Sequence, residues 1–281
     1  MALVEFSLPG IREELERRCW RQRMELDARS TTRNSAGVMK TDFEIVHYDD
    51  GENDYRNAGN YDKTRYSRPH NVYKKQVTEN AYKKLIGPLE GRRVLDVGCG
   101  TGRGLAEFAG RASLAIGTDA SHAMLLQAAA KIADKTASGV IRAYAQQLPL
   151  PSNYFDVVTA LNFLHLFSLE TQREMVTEMK RVVKPGGILV LEFDNALHGI
   201  LVGPYKRWVG KERGSMPGEI RRVVGNDCRI VEIYGAVFPI VWRLFHRFPR
   251  VFIPFEKIAY CAPMNRVAHR VFYKIVKPST T

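Results

Sequence analysis

Cysteine is scarce in this chain, and its placement excludes several chemistries. Cys19, Cys99, Cys228 and Cys261 lie far apart, with no CxxC pair and no Cys/His cluster. A disulfide framework and a zinc site are therefore not expected, and a reducing cytoplasm suits the pattern. Long apolar runs are also missing, since charges and prolines interrupt every hydrophobic stretch, and residues 1–9 are too short for a leader's apolar core. Neither a membrane span nor a signal peptide is expected. There is no internal repeat and no low-complexity segment.

Acidic residues are thin in one place. From residue 200 to 281 there are 15 Lys or Arg against 5 Asp or Glu, so +10 of the total +12 falls there. A basic region of this kind suits an anionic substrate, an anionic membrane surface or RNA, and equally reads as a solvated face. Two nucleotide signatures are absent as well. Counted from Gly98, the third glycine position of GxGxxG holds Arg103, and no Gly-Lys-Ser/Thr phosphate loop occurs.

What is present is enough for a sizeable core: 281 residues, 45% of them apolar, suit one α/β domain with appendages or at most two small domains. The spacing of Ile11, Leu15, Cys19 and Leu26 predicts a helix over 11–29, broken at 30–37. Residues 47–73 are polar and carry Tyr48, Tyr55, Tyr61, Tyr66 and Tyr73, which reads as irregular or partly helical cover. A regular alternation follows. Strands are predicted at 94–97, 114–118, 140–144, 155–161 and 188–193, with helices at 103–109, 121–134 and 170–183. Ser121 is the expected N-cap of the second helix. Lys184-Pro185-Gly186-Gly187 suits a type II turn, and later strands are expected at 229–234 and 271–276. Alternating βα units imply a parallel sheet with helices on both faces.

The chemistry concentrates at Gly98-Cys99-Gly100-Thr101-Gly102, where a parallel strand ends and a helix begins. Glycines there let the backbone turn tightly and let a ligand approach closely. Without the pyrophosphate signatures, the turn fits a nucleoside better. Asp119 stands 21 residues after Gly98, at the end of the next strand, where a carboxylate can accept both ribose hydroxyl protons.

At these residues the chain resembles a known family. The runs VLDVGCGTGRG, GTDASHAML, AQQLPLPSNYFDVVTALNFLHLF and MKRVVKPGGILVLEF, over about residues 92–193, look like the class I S-adenosylmethionine (SAM) dependent methyltransferases. The branch most resembled is the small-molecule "type 11" group, which includes ubiquinone/menaquinone-biosynthesis-like enzymes. The resemblance implies a Rossmann-like doubly wound seven-stranded α/β sheet, mostly parallel with its last strand antiparallel. Around it are expected an N-terminal helical, tyrosine-rich cap over 1–75 and a SAM-binding domain over 76–281, with a substrate-side insert at about 237–264 beyond the region of resemblance. The resemblance implies an enzyme that moves a methyl group from SAM to an O, N or C atom of a small molecule, leaving S-adenosylhomocysteine.

Site residues carry over position by position. Asp96 matches the acid that orients the loop and the amino end of the cofactor. Gly98, Gly100 and Gly102 match the glycines against its methionine and ribose portions, and Asp119 matches the ribose acid. Ala120, Met124, Ala145 and Gln146 match the surroundings of the adenine, although Tyr144 stands where relatives commonly carry an acid. Asn162 faces the methionine region in relatives, and the Tyr61-Asp62 pair with Arg65 matches a segment that closes over the cofactor. His165 falls at the mouth of the substrate pocket, as a general base, as a shaping residue or as a plain structural one. Cys99 reads as a packed residue.

Rival readings stay open. An RNA or protein methyltransferase fits the basic C-terminus, but no Asn/Asp-Pro-Pro-Tyr/Phe motif is present to grip a flipped base. A non-catalytic SAM-binding partner subunit fits the motifs equally. In the insert, Ile240, Val241, Leu244 and Phe248 share a helical face opposite Arg243, His246 and Arg247. That pattern suits a lid over an apolar substrate, an interfacial helix on an anionic membrane that would make the protein peripheral, or a helix packed on the sheet edge with its arginines in water. Pro239, Pro249 and Pro254 shorten the segment and favour the lid. Lys206, Arg207, Lys211 and Arg213 suit contact with an acidic group. No motif carries a signal for oligomeric state.

Overall fold

The computed structural model describes residues 58–66, 69–197, 214–237 and 268–279, with the side chains of 64–66 and 69–73 excepted. The expected 11–29 helix, Tyr48 and Tyr55, the 206–213 basic loop and the insert beyond Val237 lie outside these residues.

The strand nearest the glycine turn sets the layer architecture. In β1 (Arg93–Val97), Leu95 and Val97 face one core cluster and Val94 faces another, because side chains alternate across a strand. Both faces are thus buried, as a parallel strand between helical layers requires. β2 (Leu114–Asp119), β3 (Ser138–Arg142), β4 (Phe155–Ala160) and β5 (Val183–Asp194) complete the parallel set. β6 (Arg229–Ala236) and β7 (Arg270–Val276) finish a seven-stranded sheet in the order β3-β2-β1-β4-β5-β7-β6. β7 runs antiparallel to both neighbours, as the resemblance implied.

Six α-helices are described: α1 (Ala58–Tyr66), α2 (Pro69–Ile86), α3 (Arg103–Phe108), α4 (His122–Ile132), α5 (Leu169–Val182) and α6 (Pro217–Val224). Ser121 caps α4 by accepting the Met124 N–H, and Ser168 caps α5 by accepting that of Thr171. Met175, Val176, Met179 and Val182 bury the apolar stripe of α5 against one face of the sheet. On the other face, Val77, Ala81 and Leu85 of α2 pack with Val94, Val157, Val190 and Phe272. The expected boundary at residues 75 and 76 falls inside α2, whose buried half belongs to the packing of the sheet.

Two strands differ from expectation. β3 starts at Ser138 and ends at Arg142, which frees Ala143 to Gln146 to form a loop. β5 begins at Val183 rather than at residue 188, with Lys184 to Gly187 as an excursion inside it: Phe155 pairs Val183, and Val157 pairs Ile188. Gly186 takes φ 75°, as a type II turn demands, and the β7 end holds the excursion. Lys277 O accepts from Gly186 N at 2.8 Å, and Lys277 N donates to Gly187 O at 3.1 Å.

Candidate active site

The sheet order reverses direction between β1 and β4, and ligands of open α/β sheets bind beyond the carboxyl ends of the strands at such a point. A cavity of about 430 Å³ lies there, large enough for a small-molecule ligand.

The floor is the turn after β1. Gly98 has φ 67°, and a Cβ built on it would lie 2.3 Å from the Phe163 ring, so the aromatic ring can close on the loop only over glycine. Gly100 has open space where a Cβ would stand, so its backbone is accessible to a ligand. Asp119, at the end of β2, accepts from Gly100 N and from Ser121 N, both at 2.9 Å, one with each carboxylate oxygen. Those bonds orient the carboxylate, which lines the cavity. Ala120 and Met124 line the wall beside it, while Ala145 and Gln146 come from the loop after β3. Tyr144 lines the cavity too, at the position where an acid was expected.

Asp96 is buried below the turn, where its Oδ1 accepts from Thr159 Oγ1 at 2.7 Å. Burial, and next the nearby Asp119 carboxylate, raise its pKa from the ordinary 3.8 to about 7, against the opposing Thr159 bond. The folded state therefore holds this proton more tightly than the unfolded chain does. The resulting stability is fully present below pH 3.8 and is lost as pH rises through about 7. Asp96→Asn should remove that dependence. Thermal unfolding of the ligand-free protein should show the variant gaining on the parent between pH 5 and pH 8, and a constant difference would refute the shift.

The cap is fastened to the same turn. Tyr61 lines the cavity, and its neighbour Asp62 accepts from Thr101 Oγ1 at 3.0 Å and from Lys131 Nζ. Lys131 also donates to Thr101 O at 2.8 Å, so α1, the glycine turn and α4 share one junction. Arg65 lies on α1, with its side chain outside the described residues.

Two candidates fall elsewhere. Gly102 is not on the cavity wall; with φ 76° it opens α3, and a Cβ there would meet Ala128 of α4 at 2.6 Å. A side chain there would break the packing of α3 against α4. His165 sits half-buried on the short 3-10 turn Leu164–Leu166, and Phe163, Leu166 and Phe167 around it line the cavity instead. His165 lies near Asp194, where it adds to the field that holds that carboxyl low. Cys99 is buried, and desolvation pushes its thiol well up, which fits packing.

Sequence reasoning overlooked a buried ionic group on the far wall. Arg270 of β7 pairs with Glu192 of β5, and its Nε lies 2.9 Å from Asp194 Oδ1 as an ion pair without aligned hydrogen-bond geometry. Burial alone would raise Asp194, but Arg270, then His165, His269 and Lys74, outweigh it and bring it to about 2. The one available signal was a glutamate inside the apolar run ILVLEF. Among the described residues no group of three or more His, Cys, Asp or Glu is placed to hold a metal, and no helix is long and apolar enough to cross a membrane.

Strand order, the reversed β7 and the glycine turn below the cavity are those of the class I methyltransferase fold. A family model described as "Methyltransferase domain" matches residues 95–191. The ubiquinone/menaquinone biosynthesis C-methyltransferase UbiE of Stutzerimonas stutzeri is 35% identical over 129 residues, covering 43% of this chain and 50% of that protein. Its counterpart from Shewanella pealeana is 34% identical over 142 residues, covering 47% and 53%. The chain thus spans about half the length of the curated relatives it matches. Among solved structures, magnesium protoporphyrin IX methyltransferase (ChlM) from Synechocystis PCC 6803, with bound SAH, is similar in fold. The match has TM-score 0.56 and 18% identity over 80% of this chain and 97% of that one.

Proposed function

We propose that this protein binds SAM in the cavity above the glycine turn and transfers its methyl group to an O, N or C atom of a small molecule. The observation that carries the reading is Asp119, pinned through both oxygens beside a turn whose Gly100 is open to a ligand. The UbiE relatives carry the same activity class in their names, and ChlM and the N-methyltransferase NodS were crystallised with S-adenosylhomocysteine.

The residues fit that cofactor. Asp119 would accept from the ribose hydroxyls, and charge-assisted bonds of this type are the strong ones. Ala120, Met124, Ala145 and Gln146 offer the adenine an apolar slot with one polar edge. Asp96, below the turn, would favour the cationic amino end, and that cation would draw its raised pKa back down. When bound, SAM supplies an activated methyl: the nucleophile's electron pair forms the new bond as the carbon–sulfur bond breaks, and its electrons stay on sulfur. The chain's own task is alignment and exclusion of water. Tyr61 and the Asp62 junction cover one side, while Phe163 and Phe167, packed edge to face with centroids 5.0 Å apart, wall the other. His165, which does not line the cavity, is replaced in this reading by a site that works through positioning. The described walls favour a small acceptor with apolar surface.

Turnover tests the reading. Incubation with SAM and a panel of phenols, quinols, amines and carboxylates should yield S-adenosylhomocysteine by mass spectrometry. Binding without turnover across the panel would favour a SAM-binding partner subunit.

A further inference from the structure

Two residues beyond β4 the backbone takes a conformation that a strand does not hold. Asn162 has φ 54°, in the left-handed region that asparagine tolerates better than other residues with a Cβ and that its surroundings here reinforce. Among the described residues Ala137, Asn153 and Val237 share that sign of φ, and of the four only Asn162 lines the cavity. The next residue, Phe163, lays its ring against Gly98. The turn at Asn162 thus sets two parts of the wall at once.

Something reaches across from β5 to hold it. Glu192 Oε2 accepts from Asn162 N at 2.8 Å, its other oxygen pairs with Arg270, and Arg270 lies against Asp194. Glu192 is 3% exposed and Arg270 2%, so these are charges kept out of water. Such an arrangement is costly unless each group is satisfied, and an apolar replacement would serve stability as well. A glycine at 162 would take the same turn with no clamp at all. The charged pair stands at the cavity wall, beside a left-handed residue that carries a side chain.

We propose that Glu192 and Arg270 are positioning residues: Arg270 fixes the Glu192 carboxylate, and Glu192 holds the Asn162 turn so that Asn162 and Phe163 face the bound methyl donor. The clamp itself is a feature of the ligand-free protein, and its consequence for the donor rests on the function proposed above.

Residue-resolved amide hydrogen exchange by NMR, on the full chain without ligand, tests the clamp directly. The Asn162 amide should exchange slowly in the parent and roughly tenfold or more faster in Glu192→Met, since a bond to a charged acceptor is lost. Glu192→Gln, whose carbonyl can still accept, should fall between them. Calorimetry with S-adenosylhomocysteine tests the consequence. Glu192→Met should weaken binding by about tenfold in the parent but by less than about threefold in an Asn162→Gly background, where the turn needs no clamp. Equal Asn162 exchange in parent and Glu192→Met, or equal losses in the two backgrounds, would overturn the proposal. A parent that fails to bind S-adenosylhomocysteine would instead refute the SAM reading, and the exchange rates would then decide the clamp alone.

Discussion

Asp119→Ala should weaken S-adenosylhomocysteine binding by about 1.5–3 kcal/mol, roughly tenfold to more than a hundredfold, while leaving the fold intact. Asp119 is at the open end of β2 and only partly buried, so its loss opens no core cavity. Two effects add. The carboxylate that would accept from the ribose disappears, and Gly100 N and Ser121 N lose the acceptor that fixes the turn. Asp119→Asn separates them, because its one carbonyl oxygen can hold only part of this network. Calorimetry should rank affinity as parent, then Asn, then Ala. Equal affinity in all three would remove Asp119 from the site.

Gly102→Val should be strongly destabilising, and for a reason unrelated to ligand. The residue stands at φ 76°, where a side chain costs roughly 1–2 kcal/mol. Its Cβ would also lie 2.6 Å from Ala128 Cβ and 2.7 Å from Ala128 Cα, inside a buried contact between α3 and α4. No flexible side-chain tip is present to yield, so an overpacking penalty of about 1–3 kcal/mol adds to the first. At roughly 2–4 °C per kcal/mol, the melting temperature should fall by about 4–20 °C. Gly100→Ala is the contrasting control. It meets nothing within 4 Å, so it should cost mainly the backbone term while damaging ligand binding far more. A melting temperature in Gly102→Val within 2 °C of the parent, on the scale just given, would refute the packing role.

The contrast between these glycines shows where sequence reading succeeds and stops. That the turn lies between strand and helix, and that Asp119 ends the next strand, are local matters of periodicity and spacing. Which way each glycine faces depends on its neighbours in space: Gly98 looks at Phe163, Gly102 at Ala128 and Gly100 at open space. A motif read as a string assigns all three to the ligand. The position of His165 is equally a matter of spatial neighbours, since a short 3-10 turn decides which of residues 163–167 reach the cavity.

Long-range partnerships were the least legible. Asp62 meets Thr101 across 39 residues, and Arg270 meets Glu192 across 78. No periodicity encodes such a pairing. It exists because β7 inserts antiparallel beside β5, placing Arg270 opposite Asp194 in register. The β5 excursion belongs to the same class. Pro185 and Gly186 announce a turn, but only the Lys277 backbone shows that the strand continues on both sides of it.

The central claim is that the cavity at the reversal of the sheet is a SAM site. Titration of the purified chain with S-adenosylhomocysteine by calorimetry, with NADH and ATP as competitors, tests it most directly. The account predicts one site per chain, saturable at micromolar concentration and not displaced by either dinucleotide or triphosphate. No heat up to millimolar S-adenosylhomocysteine, or displacement by NADH, would contradict it.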